Sequence, residues 1–237
     1  MELDGNIKYL IFGNAQSVHL IKWVKALAPL CNLYVLSSTS IHPDIMSVVE
    51  KEKCFSLHHP TNASGGNVKI LKSIFAVKKI IQQIQPEIVN AHYITSHGLL
   101  TSIIKRFFGI RFVQICSAWG SDILVTPHRN WLYKSIAKFI LNSSNIITSD
   151  AQVMTDQIKE LTQTKVLTFT FGLEKLPDVS LEDKDYSLFF SNRILSSNYN
   201  IDKVILHFAK IRLQNTKAKL VIANEGDEKD NLKTLCH

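Results

Sequence analysis

The chain has 237 residues, of which 46% are hydrophobic and 20% are charged. This composition is typical of a globular protein of one or two domains and excludes a disordered chain. Lys and Arg outnumber Asp and Glu by 27 to 20, for a formal charge of +7. That balance favours nucleic acid, phosphorylated small molecules or an anionic membrane as partners. No nucleic-acid reader motif or long basic run is present, so nucleic acid is the least favoured of the three.

The cysteines and the termini predict the compartment. Cys31, Cys54, Cys116 and Cys236 lie far apart without a Cys-x-x-Cys pair, which is typical of reduced thiols in the cytosol. The N-terminal stretch has acidic residues and only a short apolar run, unlike a signal peptide. No apolar run approaches the roughly 20 residues that cross a bilayer. We therefore expect a cytoplasmic protein, either soluble or peripheral at the inner face of the plasma membrane.

Short apolar runs alternate with longer helical patterns along most of the chain. In chain order these predict a strand at 7–13, a helix at 17–28, strands at 32–38 and 53–59, a helix at 68–85 capped by Asn67, a strand at 87–93, a helix at 96–108, a strand at 111–117, a helix at 129–144, a strand at 145–150, a helix at 151–162 and a strand at 165–172. Buried strands that alternate with helices predict an α/β fold with a doubly wound parallel sheet. We assign residues 1–174 to this Rossmann-like domain.

The character of the sequence changes after residue 174. Residues 175–185 are polar, include Pro177 and have no period, which is typical of an interdomain linker. Residues 186–237 then hold two strand–helix units, which bury too little apolar surface to form a comfortable domain alone. The sequence therefore predicts the start of a second, incomplete Rossmann-like domain.

Chemically capable residues cluster where the predicted strands end, which is where ligands bind in parallel α/β sheets. The run "FGNAQSVH" contains Gly13 and Ser17 but matches neither Gly-x-Gly-x-x-Gly nor a P-loop. Ser17 could face an anion at the helix start or could simply cap that helix. In "SAWGSD", Gly120 allows a sharp turn, Trp119 offers a platform to a sugar ring, and Asp122 is either a hydroxyl ligand or a cap.

Two histidines flank the end of the strand at 87–93. His92 and His97 are five residues apart with no thiol or carboxylate cluster nearby, so their spacing does not favour a metal site. His92 is placed to bond a substrate hydroxyl, and a structural histidine is the competing interpretation. His97 is assigned to the start of the following helix.

Three helical stretches mix cations with large apolar side chains. They are "VKILKSIFAVKK", "IIKRFFGIR" and "WLYKSIAKF". This pattern suits peripheral contact with an anionic membrane, and solvated faces of ordinary helices explain it nearly as well.

Five segments, in order, resemble family 4 glycosyltransferases of the GT-B fold: "SVHLIKWVKAL", "PEIVNAHYITSHGLL", "CSAWGSDIL", "FTFGLE" and "SNRILSSNYNIDKVILHFAKI" with the following "AKLVIANEGDEKDNL". The resemblance covers nearly the whole chain. It implies two Rossmann-like domains, the first for the acceptor and the second for a nucleotide-sugar such as a UDP- or GDP-sugar.

The resemblance also implies roles for matching residues. His92 resembles the family histidine that contacts the donor sugar, and Gly13 lies in the loop that faces the donor phosphates. Ser17, Trp119, Gly120 and Asp122 fall on the acceptor side. Arg193 resembles the arginine that binds the pyrophosphate and stabilises the leaving group, so we take His92 and Arg193 as the catalytic pair. A lysine usually follows that arginine in the family, and Tyr199 stands there on the donor side.

The implied activity is transfer of a hexose with retained anomeric configuration and without a metal or other cofactor. The implied acceptor is a lipid-linked or other saccharide in bacterial surface polysaccharide synthesis, such as O-antigen or capsule. The family's Glu-x7-Glu element is expected beyond residue 237, so the alternative is a non-catalytic remnant that binds a membrane or a partner. A nucleotide-sugar epimerase is disfavoured because the dinucleotide glycine motif is absent.

Overall fold

The structure is a computed structural model that describes residues 5–59, 68–170, 172, 178, 180, 182 and 184–236. The chain divides into two compact units, Met1–Gly172 and Leu173–His237. Most of the predicted linker, 175–185, lies outside the described residues, and so does the predicted cap Asn67. The boundary near 174 and the linker therefore stay predictions.

A parallel sheet forms the centre of the first unit. In chain order its strands are β1 (Lys8–Gly13), β2 (Asn32–Ser37), β3 (Cys54–Ser56), β4 (Ile88–His92), β5 (Val113–Ser117), β6 (Ile146–Ser149) and β7 (Val166–Thr168). Every neighbouring pair is parallel, and the spatial order is β3-β2-β1-β4-β5-β6-β7. The predicted doubly wound α/β fold is thus confirmed.

The strand order fixes where a ligand can bind. Chain order reverses between β1 and β4, which lie side by side with Phe12 opposite Ala91. In open α/β sheets the crevice outside the carboxyl ends of the strands at such a reversal is the binding site. Here those ends are Gly13 on β1 and His92 on β4.

Helices cover both faces of the sheet. They are α1 (Val18–Leu27), α2 (Pro43–Met46), α3 (Ile74–Ile84), α4 (Leu99–Phe107), α5 (Ser121–Leu124), α6 (Trp131–Ser143) and α7 (Gln152–Leu161). Each longer helix buries residues at helical spacing, as α3 does with Val77, Ile81 and Ile84. The side chain of Asn130 caps α6 by accepting a 3.0 Å hydrogen bond from the Tyr133 N–H.

Alternation along β1 separates the two halves of the core. Leu10 and Phe12 point to one face and pack with residues of α3 and α4, whereas Tyr9 and Ile11 point to the other and pack with residues of α1. The second face is completed by residues such as Ile45 of α2. A sheet that is covered on both faces requires strands whose consecutive residues are apolar, and β1 meets this requirement.

Two predicted helices begin differently from the sequence pattern. Val68–Ser73 forms a 3₁₀ turn, so the α-helical part of the predicted 68–85 helix starts at Ile74. The helix predicted from Ser96 is preceded by a π-helical turn, Tyr93–Gly98, and α4 begins at Leu99. Neither turn type has a period distinct enough from an α-helix to be read from the sequence.

The second unit contains a two-stranded parallel sheet, β8 (Leu188–Ser191) with β9 (Lys219–Ile222), and the helices α8 (Ile201–Gln214) and α9 (Lys229–Leu235). Its buried cluster consists of Leu195, Ile201, Ile205 and Leu232. Several of its large apolar side chains stay exposed, including Phe190 at 64%. A small core of this kind stabilises a fold only weakly.

The structure bears on two of the observations from which the compartment was predicted. All four cysteines are free thiols. Among the helices that the structure describes, none has both the length and the apolar character needed to cross a membrane.

Replacing Phe12 by Ala should lower the free energy of unfolding of the first unit by about 3–5 kcal/mol, because Phe12 is completely buried between β1 and its helices. Urea unfolding followed by tryptophan fluorescence measures this unit selectively, since Trp23, Trp119 and Trp131 all belong to it.

Phe75→Ala is the matched control, because Phe75 is 70% exposed and its removal should change the free energy by less than about 0.5 kcal/mol. Equal effects of the two substitutions would contradict the assignment of Phe12 to the core.

Candidate functional site

The site lies at the carboxyl ends of β1, β4 and β5. Of the residues that the sequence singled out, the structure groups Gly13, Ser17, His92, Trp119 and the Gly120–Asp122 turn around these strand ends in the first unit. Arg193 and Tyr199 belong to the second unit and are described within it.

Gly13 lets β1 approach β4 closely. A Cβ at this position would lie 2.7 Å from Leu20 Cδ1 and 3.1 Å from His92 Cβ. Both distances are shorter than ordinary contacts between carbon atoms. The glycine thus allows Leu20 of α1 and His92 of β4 to pack closely against β1, at the point where the strand order reverses.

His92 is buried, with 3% of its surface exposed. The ring lies between Trp23 and Trp119, with centroids 5.4 Å from each. Neither ring nitrogen has a hydrogen-bond partner in the part of the chain that the structure describes. Burial, and to a smaller extent His97, lowers the pKa of His92 to about 3. The ring is therefore neutral at physiological pH, with one donor and one acceptor nitrogen to offer.

His97 forms a hydrogen bond with the last residue of β4. It lies in the π-helical turn, and its Nδ1 donates a hydrogen bond to the His92 carbonyl. Its ring also packs edge-on against Phe12, with centroids 4.6 Å apart. Burial lowers the pKa of His97 to about 4, although the bond to the carbonyl opposes this effect. His97 thus belongs to the start of the helical segment, as expected, and positions His92 as well.

Asp122 joins the loops that follow β4 and β5. Its carboxylate is completely buried, accepting one hydrogen bond of 2.9 Å from the Ile94 N–H and another of 3.0 Å from the Trp119 N–H. Burial raises the pKa of Asp122 to about 6, opposed by these backbone donors. The carboxylate does not face solvent, and its two backbone hydrogen bonds tie the loop after β4 to the loop after β5.

Trp119 and Gly120 shape the loop after β5. Gly120 has a φ of +111°, a conformation that L-residues with side chains rarely adopt. The turn places the Trp119 indole over His92 and against His19, the latter with centroids 4.9 Å apart.

Ser17 occupies the N-cap position of α1, yet its side chain makes no capping hydrogen bond.

Trp23 is a site residue that the sequence did not single out. Its indole lies edge-on to His92 and 5.7 Å from the ring of Phe169. His19 and Trp23 are four residues apart on α1, so they share a helix face. That spacing is the signal that could have identified both residues.

A chain of buried hydrogen bonds runs across the sheet at this level. Asn90 donates to the Tyr9 hydroxyl at 2.9 Å and accepts from Ser117 at 3.0 Å, and Ser117 accepts from Thr148 at 2.8 Å. These bonds cross-link β1, β4, β5 and β6. Buried and satisfied networks of this kind fix side-chain positions and rigidify the strand ends.

The pocket beside the indoles of Trp23 and Trp119, which both contact His92, is small. A pocket lined by Trp23, Trp119, Thr148, Asp150 and Phe169 has a cavity volume of about 10 Å³, room for about one water molecule. Across the described residues, no three His, Cys, Asp or Glu side chains are arranged to hold a metal ion.

Arg193 and Tyr199 are neighbours in the second unit. Both are exposed, and the guanidinium carbon of Arg193 lies 5.7 Å from the centre of the Tyr199 ring. A guanidinium over an aromatic face is held in place while its N–H groups remain available to an anion.

Residues 8–151, more than half of the chain, match the family model described as glycosyl transferase 4-like. The chain belongs to the glycosyl transferase 4-like family. The match contains the strand ends with Gly13, His92 and Trp119, and the resemblance to family 4 glycosyltransferases of the GT-B fold is confirmed.

A curated relative of this glycosyl transferase 4-like chain is an uncharacterized glycosyltransferase of Methanocaldococcus jannaschii, 23% identical over 216 residues. The alignment covers 81% of this chain and 53% of the relative. The chain therefore spans about half the length of the curated relative that it matches.

Solved structures with the same fold include the UDP-GlcNAc 2-epimerase of Methanocaldococcus jannaschii, with a TM-score of 0.60 at 11% identity, covering 96% of this chain and 68% of that one. The UDP-GlcNAc 2-epimerase of Neisseria meningitidis bound to UDP-GlcNAc gives 0.56 at 12% identity, with coverages of 96% and 68%. A sucrose-phosphate synthase of Thermosynechococcus elongatus gives 0.52 at 10% identity, with coverages of 70% and 91%. These identities show a shared fold and not a shared reaction.

Gly13→Ala should destabilise the first unit of this glycosyl transferase 4-like chain by about 1–3 kcal/mol, because the added methyl group overlaps the side chains of Leu20 and His92. Urea unfolding followed by tryptophan fluorescence measures the change. Adding Leu20→Ala should relieve the shorter of the two contacts and recover part of the fluorescence spectrum that reports the packing of Trp23 and Trp119.

Gly5→Ala is the control, since a Cβ there has no atom within 4 Å. If Gly13→Ala were as stable as the control, this result would contradict the close contact of Gly13 with Leu20 and His92.

Stability of the first unit should fall as the pH is lowered from about 6.5 to about 4. His92 and His97 have folded-state pKa values of about 3 and about 4 against an ordinary 6.5, so the unfolded chain binds protons in this range and the folded one does not. Asp122 works in the opposite direction, because its folded pKa of about 6 means that the folded protein binds a proton first. Two histidines against one carboxyl leave a net loss of about 1 kcal/mol per pH unit near pH 5.

His92→Phe should remove most of this pH dependence while preserving an aromatic ring between Trp23 and Trp119. The measurement is the urea midpoint as a function of pH for both proteins. An unchanged slope in the variant would show that His92 titrates normally and is not buried.

Proposed function

We propose that the protein transfers a sugar from a nucleotide-diphosphate sugar to a hydroxyl acceptor. The observation that carries this proposal is His92, a buried neutral histidine at the strand reversal whose two ring nitrogens lack partners among the described residues. A buried polar group without a partner calls for an explanation, and a ligand hydroxyl supplies one. A neutral imidazole can both donate to and accept from sugar hydroxyls.

Access to His92 would require the side chain of Trp119 to move. The Trp119 indole packs on the His92 ring, and the pocket that Trp119 and Trp23 line is far smaller than a sugar. The backbone of this loop turns at Gly120 and is tied to the β4 loop by Asp122. We therefore propose that donor binding displaces Trp119, which then packs against the face of a sugar ring.

Arg193 is proposed to hold the diphosphate. Its guanidinium is exposed and is supported by the ring of Tyr199. A guanidinium matches two phosphate oxygens at once and stabilises the charge that develops on the leaving group. Tyr199 is proposed to contribute on the donor side in place of a second cation.

In the proposed reaction the acceptor hydroxyl oxygen bonds to the anomeric carbon as the bond from that carbon to the diphosphate oxygen breaks. The hydroxyl attacks on the same face from which the nucleotide leaves, so the configuration is retained. The leaving phosphate oxygen takes the proton of the hydroxyl, so no protein base is required. Retention, independence of metals and hexose as the transferred group follow from the family resemblance. The solved neighbours named for UDP-GlcNAc or UDP-GlcNAc 2-epimerase activity support a nucleotide-sugar as the ligand class.

The proposed acceptor is a lipid-linked or other saccharide of bacterial surface polysaccharide synthesis. This part rests on the resemblance to family 4 enzymes. The alternative is that the 237-residue chain binds a membrane or a partner without transferring sugar. Absence of nucleotide-sugar binding would favour this alternative, and saturable binding would call for an assay of sugar transfer.

Calorimetric titration of the 237-residue protein with UDP- and GDP-sugars tests the proposal. We expect saturable binding to one of the two nucleotides. His92→Ala and Arg193→Ala should each weaken it by about tenfold to a hundredfold, which corresponds to the loss of one or two buried or charged hydrogen bonds.

The matched controls are His128→Ala and Lys210→Ala, which remove an exposed histidine of the first unit and an exposed cation of the second. Absence of binding to any nucleotide-sugar by a cooperatively unfolding protein would reject the transferase proposal for this chain. Binding that survives both site substitutions would reject the assigned residues.

A further inference from the structure

The excess of positive over negative charge lies in one stretch of the sequence. Between Val68 and Ser143 lie ten of the 27 Lys and Arg residues but only two of the 20 acidic residues, Glu87 and Asp122. The remainder of the chain is close to neutral. The +7 excess is therefore a local property and not a uniform one.

The two acidic residues in this stretch do not neutralise its outer surface. The Asp122 carboxylate is completely buried on backbone N–H groups. Glu87 stands just before β4, at the amino end of the sheet, where it accepts a hydrogen bond from the Lys8 backbone N–H. The helices α3, α4 and α6, which fall in this stretch, contain no acidic residue at all.

Aromatic side chains contact one another across these three helices, and two of them are strongly exposed. Phe75 of α3 lies 6.1 Å from Phe108, which follows α4 directly, and Phe107 of α4 lies 6.0 Å from Phe139 of α6. Phe75 is 70% exposed and Phe107 is 74% exposed. Two large aromatic side chains left so exposed on adjacent helices mark an interaction surface rather than isolated surface residues.

Cations flank the rings at helical spacing. Lys72, Phe75 and Lys79 follow one another three and four residues apart, all exposed. Arg106 adjoins Phe107, and Lys78 Nζ lies 4.6 Å from the centre of the Phe108 ring. Lys134 and Lys138 continue the pattern on α6.

We propose that this surface, the outer side of α3, α4 and α6, binds an anionic lipid membrane. We call it the cationic aromatic face. Phenyl rings enter the boundary between headgroups and acyl chains, and the surrounding Lys and Arg contact lipid phosphates. These helices contain no carboxylates, which suits a lipid surface because lipid phosphates would repel a carboxylate. The proposal stands apart from sugar transfer, since none of these residues lies at the strand ends.

Vesicle co-sedimentation of the 237-residue protein tests the proposal. The probes are vesicles of phosphatidylcholine alone and vesicles in which about one third of the lipid is phosphatidylglycerol. We expect binding to the anionic vesicles and little to the neutral ones. The triple variant Lys72→Gln, Lys79→Gln, Arg106→Gln should weaken binding by about a hundredfold, at about fivefold for each charge.

The double variant Phe75→Ser, Phe107→Ser should weaken binding by about tenfold, and its remaining binding should be abolished by added salt, because only the electrostatic part is left. All these positions are exposed, so the unfolding midpoints should match the original protein. The matched controls are Lys159→Gln, Lys210→Gln, Lys217→Gln for charge and Leu213→Ser for apolar exposure, which remove exposed side chains elsewhere and should change binding by less than about threefold.

Four outcomes would overturn the proposal. They are no binding to anionic vesicles, equal binding to both kinds of vesicle, equal loss in the controls, and binding to a single-stranded RNA oligonucleotide without binding to vesicles. The last would assign the face to nucleic acid, whose bases also stack on aromatic rings.

Discussion

The arrangement of the candidate site depends on one buried carboxylate. Asp122 accepts hydrogen bonds from the backbone of Ile94 and of Trp119, and these residues belong to loops that follow two neighbouring strands. A carboxylate in an apolar interior is costly unless such donors surround it. The same bonds set the two loops in a fixed relation, which decides where Trp119 lies over His92. Removal of either partner would leave a buried group unsatisfied and both loops unanchored.

The sheet and most helices could be predicted because their signals are local and repeated. Apolar strands such as Lys8–Gly13 are buried on both faces, and this requirement is visible residue by residue. Helices such as Ile74–Ile84 bury every third or fourth residue. The positions of Gly13 and His92 at strand ends follow from the same patterns. The order of the strands, which places these two residues side by side, does not.

Features that the sequence did not reveal depend on contacts between distant residues. The π-helical turn at Tyr93–Gly98 forms where Ile94 meets a carboxylate 28 positions further along the chain. Trp23 reaches His92 only after α1 has folded onto the sheet. Asp122 had two interpretations in the sequence because a carboxylate that faces a ligand and one that caps a loop have the same local neighbours. Whether such a carboxylate is buried is a property of the whole fold, and the sequence around it does not show it.

The π-helical turn has a consequence for changes in chain length. Successive helical residues are rotated by about 100°, so one residue more or fewer between β4 and α4 would turn every later side chain by that angle. His97 would then leave the carbonyl of His92, and the buried residues of α4, such as Leu100 and Ile104, would rotate off the sheet. The length of this segment is therefore constrained in addition to the identity of its buried side chains. An insertion or deletion here would therefore disturb the site and the core in the same step.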